Sequence, residues 1–187
     1  MPLTIGQPPE SDFHNPLGML SDCHRRIARF LEVLITIAET GRGAELDEEH
    51  REALDSALKY FREGAPKHTC DEEDSLFPRM RRRVGDSGAR FALLTLLHAD
   101  HVAVEKSHAQ VNEIGNAYLS EGRLTPEDAE RFTKLLHELR TAYQEHIEIE
   151  ERRLFPFAAR ILTRVDLEEI GNEMAQRRGL AVHTAAS

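Results

Sequence analysis

The sequence predicts an all-α fold, an up-down-up-down bundle of four long helices followed by a short additional C-terminal helix. Three observations carry this prediction. Leu, Ala, Glu and Arg dominate the composition, while the residues that favour strands are thin. Apolar residues recur at helical spacing over four long stretches. Gly and Pro gather at the breaks between those stretches rather than in a linker between domains, and 187 residues suit one sizeable core.

The elements follow in order. Residues 1–14 read as an irregular arm. Asn15-Pro16 starts the first helix, with Pro at a tolerated first position. Leu17, Leu20, Ile27, Leu31, Leu34 and Ile35 then mark its apolar face, and Gly41 and Gly43 end it. Asp47 caps the second helix, with Glu48 and Glu49 in the first turn. Gly64-Ala65-Pro66 should kink or restart that helix just before His68, after which it runs to about Val84. Gly85-Asp86-Ser87-Gly88 turns the chain. The third helix covers about Arg90 to Leu119 and breaks at Gly122. Thr125-Pro126-Glu127-Asp128 starts the fourth, which runs to about Leu162 with a kink expected at Pro156. The bundle therefore spans 15–163. In 164–187, Asp166 with Glu169 reads as a capping-box-like start of the short helix, closed near Gly179 and followed by a tail.

Composition excludes several function classes. A net charge of -9 argues against a dedicated nucleic-acid binder. The local run Arg79, Arg81, Arg82, Arg83 lies where cations stabilise a helix C-terminus. No stretch of about 18 apolar residues is present, so no membrane span is expected. The N-terminus lacks a basic start and an apolar signal core, which points to the cytoplasm. Two cysteines, Cys23 and Cys70, imply no disulfide framework and read as reduced packing residues.

The chemistry lies in a repeated phrase. His68, Glu72, Glu73, Leu76, Phe77 and Pro78 recur as His146, Glu150, Glu151, Leu154, Phe155 and Pro156, each 78 residues from its counterpart. A histidine and a glutamate four residues apart project from one helix face on adjacent turns, so the pair can grip one metal ion. His24 and His101 stand 77 residues apart, as though one helix pair were used twice, each supplying His and then His-x3-Glu. Counting outward from the expected loops puts His24, His68, Glu72, His101, His146 and Glu150 in one layer, with mismatches of at most about six residues, or about 9 Å. Four imidazoles and two carboxylates exceed one tetrahedral zinc. They suit two metals bridged by the carboxylates, with positions open to a small ligand, and by softness iron, manganese or zinc. Glu73 and Glu151 are rotated about a hundred degrees from the ligand face and are expected to support the ligands by hydrogen bonds or salt bridges. His98 and Glu105 share a face with His101 and could ligate or support it, whereas His108 lies two turns beyond. His50 and His137 default to solvent, and His14 and His183 to the chain ends. The Leu-Phe-Pro tails read as core packing and helix shaping.

With these residues in hand, the chain resembles the hemerythrin-like, His-His-Glu cation-binding family over roughly residues 14 to 163. The resemblance rests on Asp22-Cys23-His24-Arg25-Arg26-Ile27, His68-Thr69-Cys70-Asp71-Glu72-Glu73, Ala99-Asp100-His101 and His146-Ile147-Glu148-Ile149-Glu150-Glu151, with the paired Leu-Phe-Pro tails. It implies a non-haem di-iron centre with an oxo or hydroxo bridge. By that analogy His24, His68, His101 and His146 are terminal ligands, and Glu72 and Glu150 are bridges. Zinc or manganese are possible substitutes. Animal oxygen carriers of this family have a His-x3-His pair on the third helix, but here Glu105 follows His101. The four-histidine set is closer to bacterial iron-centre repair proteins, which usually carry an N-terminal cysteine segment; residues 1–14 contain no Cys. The function implied is binding or sensing of oxygen or nitric oxide, or iron handling under oxidative or nitrosative stress. The alternative is a di-iron peroxidase, oxidase or nitric oxide-reducing enzyme, or an iron-centre repair protein. A third reading has the fifth helix dock a protein partner, although its charges more simply describe a well-capped helix.

Overall fold

The computed structural model describes residues 11–41, 44–85 and 88–180. These form five helices: α1 (Pro16–Thr40), α2 (48–84), α3 (Ala89–Glu121), α4 (126–161) and α5 (Arg164–Arg177). No strand occurs among the described residues, and no helix among them is long and apolar enough to cross a membrane. The expected roles of Gly43, Asp86, Ser87 and His183, and the arm up to residue 10, lie outside the described residues.

Local chemistry sets the helix ends. Asn15 accepts a hydrogen bond from the Gly18 N–H, Asp47 from that of His50 and Thr125 from that of Asp128, each satisfying an otherwise orphaned helix donor. The start of α5 differs from expectation. Thr163, not Asp166, is the cap, and Asp166 sits three residues inside, accepting from the Thr163 N–H at 2.8 Å while the Thr163 hydroxyl accepts from the Asp166 N–H at 3.2 Å. A hydroxyl can face its helix and close this reciprocal box, so the helix begins earlier than the Asp166-Glu169 pattern suggests. Gly122, at φ +73, ends α3 in a conformation that disfavours side chains.

The prolines inside α2 and α4 bring π turns rather than a stop. Each π turn ends two residues before a proline: Tyr60–Gly64 before Ala65-Pro66, Asp71–Leu76 before Phe77-Pro78, and Glu150–Leu154 before Phe155-Pro156. Proline has no N–H, and its ring collides with the carbonyl four residues back in a regular helix. Widening the preceding turn relieves that collision. The N–H of Phe77 bonds to the Glu72 carbonyl and that of Phe155 to the Glu150 carbonyl, five residues back in each case. The helix restart expected before His68 is thus a π turn that keeps the helix continuous. Two of the three π turns begin at or next to the repeated glutamates, where such turns are often functional.

Two apolar cores hold the bundle. One joins Leu34 and Ile37 of α1, Leu54 and Leu58 of α2, Tyr118 of α3 and Phe132 and Leu136 of α4. The other joins Leu20 of α1, Leu76 and Phe77 of α2, Leu97 of α3, Leu154 and Phe155 of α4 and Ile170 and Met174 of α5. Each fully buried Leu or Phe contributes about 1.5–3 kcal/mol. Between these two sets lie the buried polar residues Asp22 and His24 of α1, His68, Asp71 and Glu72 of α2 and His146 and Glu150 of α4, with the partly buried His101 of α3, so the cores bracket a polar layer.

α5 is tied to α2 by a ladder of charges. Arg83 pairs with Asp166, Arg79 with Glu169 and Glu173, and the fully buried Asp71 with Arg177 and Arg178 at 2.9 and 2.7 Å. Arg81, Arg82 and Arg83 do fall in the last turn of α2, as the sequence implies, but Arg79 and Arg83 also bind α5. The inner face of α5 is occupied by its own bundle. Gly171 lets the Phe13 carbonyl approach so closely that a Cβ there would lie 1.9 Å from its oxygen.

Candidate metal centre

The polar layer contains all six residues singled out in the sequence. α1 supplies His24, α2 supplies His68 and Glu72, α3 supplies His101, and α4 supplies His146 and Glu150. Two groups form within it: His24, His68, Glu72 and Glu150, and Glu72, His101, His146 and Glu150, the ligand atoms of each group lying within 4.8 Å of one another. Both carboxylates belong to both groups, the arrangement needed for two ions sharing two bridges. Glu72 Oε1 lies 3.5 Å from His68 Nε2, and its Oε2 lies 3.3 Å from His101 Nε2. Glu150 Oε2 lies 3.0 Å from His24 Nε2 and 3.3 Å from His146 Nε2.

These atoms are buried and poorly satisfied by one another. Glu72 and Glu150 are both 0% exposed, and none of their four carboxylate oxygens has an aligned hydrogen-bond partner. His24 Nε2 and His146 Nε2 are in the same condition despite their proximity to Glu150. An unsatisfied buried polar atom costs about 1–3 kcal/mol, and proteins leave very few. Here they converge on one point. An imidazole and carboxylate set of this kind fits iron, manganese or zinc.

Three of the four imidazoles are oriented from behind. His24 Nδ1 meets Glu151 at 2.7 Å, and Glu151 accepts a further bond from the Ser21 hydroxyl. His101 Nδ1 meets Glu73 at 2.8 Å, while His146 Nδ1 lies 3.4 Å from Asp100. Such contacts aim the opposite ring nitrogen at a metal and raise its basicity. His68 differs, because its buried Nδ1 has no hydrogen-bond partner. Cys23 precedes His24 just as Asp100 precedes His101, so the second half of the repeat has a carboxylate where the first has a thiol. The Leu-Phe-Pro tails also touch the layer: the Phe155 ring stacks on His24 and the Phe77 ring on His101, at centroid distances of 5.4 and 6.2 Å.

Charge divides unevenly between the carboxylates. Burial, the negative Glu150 and the absence of an aligned partner push Glu72 well above the usual carboxylate range. Burial would raise Glu150 too, but the contacts of His146 and His24 outweigh it and hold Glu150 low. Burial would lower His24, yet Glu150 and Glu151 raise it to about 9. His146 is raised by Glu150 against its own burial. His68 is driven well down by burial and by the positive His24. These shifts favour the charged forms of His24, His146 and Glu150 and the neutral forms of Glu72 and His68.

The remaining histidines separate clearly. His98 is exposed and reaches Glu73 rather than the centre, at 3.1 Å. Glu105 is exposed on the rim of a cleft. His50 and His137, expected in solvent, are partly exposed and pair with Asp47 and Glu39. His108 bonds to the Tyr143 hydroxyl at 2.7 Å. Sequence reasoning did not single out Asp100, Tyr143 or the Asp71–Arg178 pair. Asp100 adjoins a ligand histidine, the only local signal available, and Tyr143 lies one turn before His146.

A helical bundle whose buried layer offers two carboxylate-sharing groups of histidines defines a metal-binding class of protein. The comparisons place it further. The pattern that defines the Hemerythrin HHE cation binding domain matches residues 15–158, and the chain belongs to that family. An uncharacterized protein of Haemophilus influenzae is similar, 27% identical over 168 residues, which cover 89% of this chain and 91% of that protein.

Proposed function

We propose that the protein holds two iron ions, bridged by Glu72 and Glu150, and binds or senses oxygen or nitric oxide there or handles iron under oxidative or nitrosative stress. One observation carries this reading: the six buried, unsatisfied atoms of His24, Glu72, His146 and Glu150 converge within the two ligand groups that share both carboxylates. His24 and His68 would serve one ion, and His101 and His146 the other. The ions would supply redox chemistry and positions open to a small ligand, with an oxo or hydroxo group as a further bridge. The protein's part is to orient the imidazoles through Glu151, Glu73 and Asp100 and to limit water access with the two flanking cores. Zinc or manganese would fit the same donors.

The order in which each long helix passes the two cores supports an up-down-up-down arrangement. α1 meets the core containing α5 first, α2 meets it last, and α3 and α4 repeat that alternation. Two free cysteines agree with a cytoplasmic location. The acidic balance supports a function without nucleic acid.

A redox enzyme is the second reading. A cleft of about 340 Å³ between α2 and α3 reaches His101 and Glu73, far more room than a diatomic molecule requires.

Anaerobic purification, metal counting and optical spectra through an oxygen and nitric oxide titration test the proposal. Two irons per chain and a reversible ligand-dependent band support the carrier or sensor. Turnover of peroxide or nitric oxide supports the enzyme. Less than one metal per chain, unchanged by His68→Ala plus His146→Ala, refutes both.

A further inference from the structure

Three residues before His146, α4 turns the Tyr143 side chain inward. Its hydroxyl lies 2.7 Å from His108 Nε2 on α3. Tyr143 lines the α2–α3 cleft together with His101 and Glu73. It also lines a second cleft, between α1 and α4, together with His24 and Glu151. The phenol therefore stands between two approaches to the proposed centre. His108 is flanked by the rings of Phe61 and Tyr143, at centroid distances of 5.0 and 5.6 Å. No charged group contributes to its titration; burial alone lowers it, to about 4. At neutral pH the pair is thus a protonated phenol facing a neutral imidazole with a lone pair free to accept.

We propose that Tyr143 and His108 form a redox-active pair, in which the phenol passes one electron to an oxidant at the metal centre while its proton moves to His108 Nε2. The oxidant class is a peroxide. Its O–O bond breaks as it takes two electrons and two protons to give two waters. Tyr143 supplies one electron and becomes a phenoxyl radical, and the iron pair would supply the other. The phenolic proton goes to His108, and the peroxide takes both of its protons from solvent. The short hydrogen bond lets electron and proton leave together, without passing through a charged phenol in an apolar setting. An organic reductant in the α2–α3 cleft would restore the phenol, which turns that cleft from a passage into a co-substrate site.

The inference rests on the di-iron reading, so iron is counted in every sample. The probe is hydrogen peroxide added to iron-loaded protein, frozen within milliseconds and examined by electron paramagnetic resonance. The chain has three tyrosines. A tyrosyl signal is expected in the wild type, in Tyr60→Phe and in Tyr118→Phe, and its loss in Tyr143→Phe. In His108→Leu the radical should form about a hundredfold more slowly, the lower end of what a positioned proton acceptor contributes. A signal that survives Tyr143→Phe, an unchanged rate in His108→Leu, or no signal from protein holding two irons overturns the inference. If iron does not bind, the di-iron reading fails instead. Flash-quench photo-oxidation of chelator-treated protein with a ruthenium dye then tests the pair by itself: Tyr143 radical formation slowed by His108→Leu supports it, and equal rates overturn it.

Discussion

Glu72→Gln should raise the stability of the metal-free protein and lower that of the metal-loaded one. Glu72 is 0% exposed and neither of its oxygens has an aligned partner. Its carboxyl is pushed well above the ordinary range by burial and by Glu150. A carboxyl with a raised folded pKa lowers stability as pH climbs above its unfolded value of about 4.3. Each pH unit over which the folded carboxyl keeps a proton that the unfolded chain would lose costs about 1.36 kcal/mol. An unsatisfied buried acceptor sets a floor of about 1 kcal/mol. A glutamine in its place carries no charge, and its amide can donate to Glu150, which shares both ligand groups with it. The expected gain of about 1–3 kcal/mol corresponds to a Tm rise of about 2–4 °C per kcal/mol in a chain of this size. With iron the order should invert. Ligand at about a thousand times Kd stabilises the wild type by about 4 kcal/mol, most of which the variant loses with its bridging charge. The assay is thermal unfolding followed by circular dichroism, with chelator and with iron, at pH 7 and near pH 4.5. The chelated gap should close at the lower pH. A chelated variant no more stable than wild type would refute the reasoning, because Glu72 would then be satisfied within the protein.

Four further outcomes are expected. Glu151→Gln and Glu73→Gln should each weaken metal binding by about 10–100-fold, measured by competition with a chromophoric chelator, because the imidazoles of His24 and His101 lose their orienting carboxylates. Metal binding should release protons, read by calorimetry in buffers of different ionisation enthalpy, and tighten as pH rises towards about 9, because the metal displaces the proton held on His24. The same raised pKa stabilises the chelated protein below about 6.5, a contribution lost as pH rises through about 9, so its Tm should fall across that window. Removing both Arg177 and Arg178 leaves the buried Asp71 unpaired and should cost about 3–5 kcal/mol in chemical denaturation, with Asp71→Asn recovering part of the loss.

What was legible in the sequence is local in the chain. The His-x3-Glu spacing shares a helix face whatever surrounds it, so two grips could be read directly, and their 78-residue repeat indicated that both belong to one centre. Caps at Asn15, Asp47 and Thr125 were equally plain, because a capping side chain reaches only two or three residues. Proline marked the places where helix geometry must change. A regular helix before proline meets a steric collision, which a kink, a break or a wider turn can relieve, and only packing against neighbouring helices chooses among them. Here the choice is a π turn that hands the Glu72 and Glu150 carbonyls to Phe77 and Phe155. The supporting role of Glu73 and Glu151 was legible from their rotation off the ligand face, but not which ring each supports, nor the part of Asp100. Glu151 reaches His24 across 127 residues and Asp100 reaches His146 across 46, contacts fixed by helix rotation and depth rather than by spacing. The sequence by itself determined which donors exist and how they pair along each helix. Tertiary structure alone decided which ring each supporting carboxylate meets and that the ligand carboxylates are left without an aligned partner, because that depends on where four separate helices place their side chains in a space closed to water.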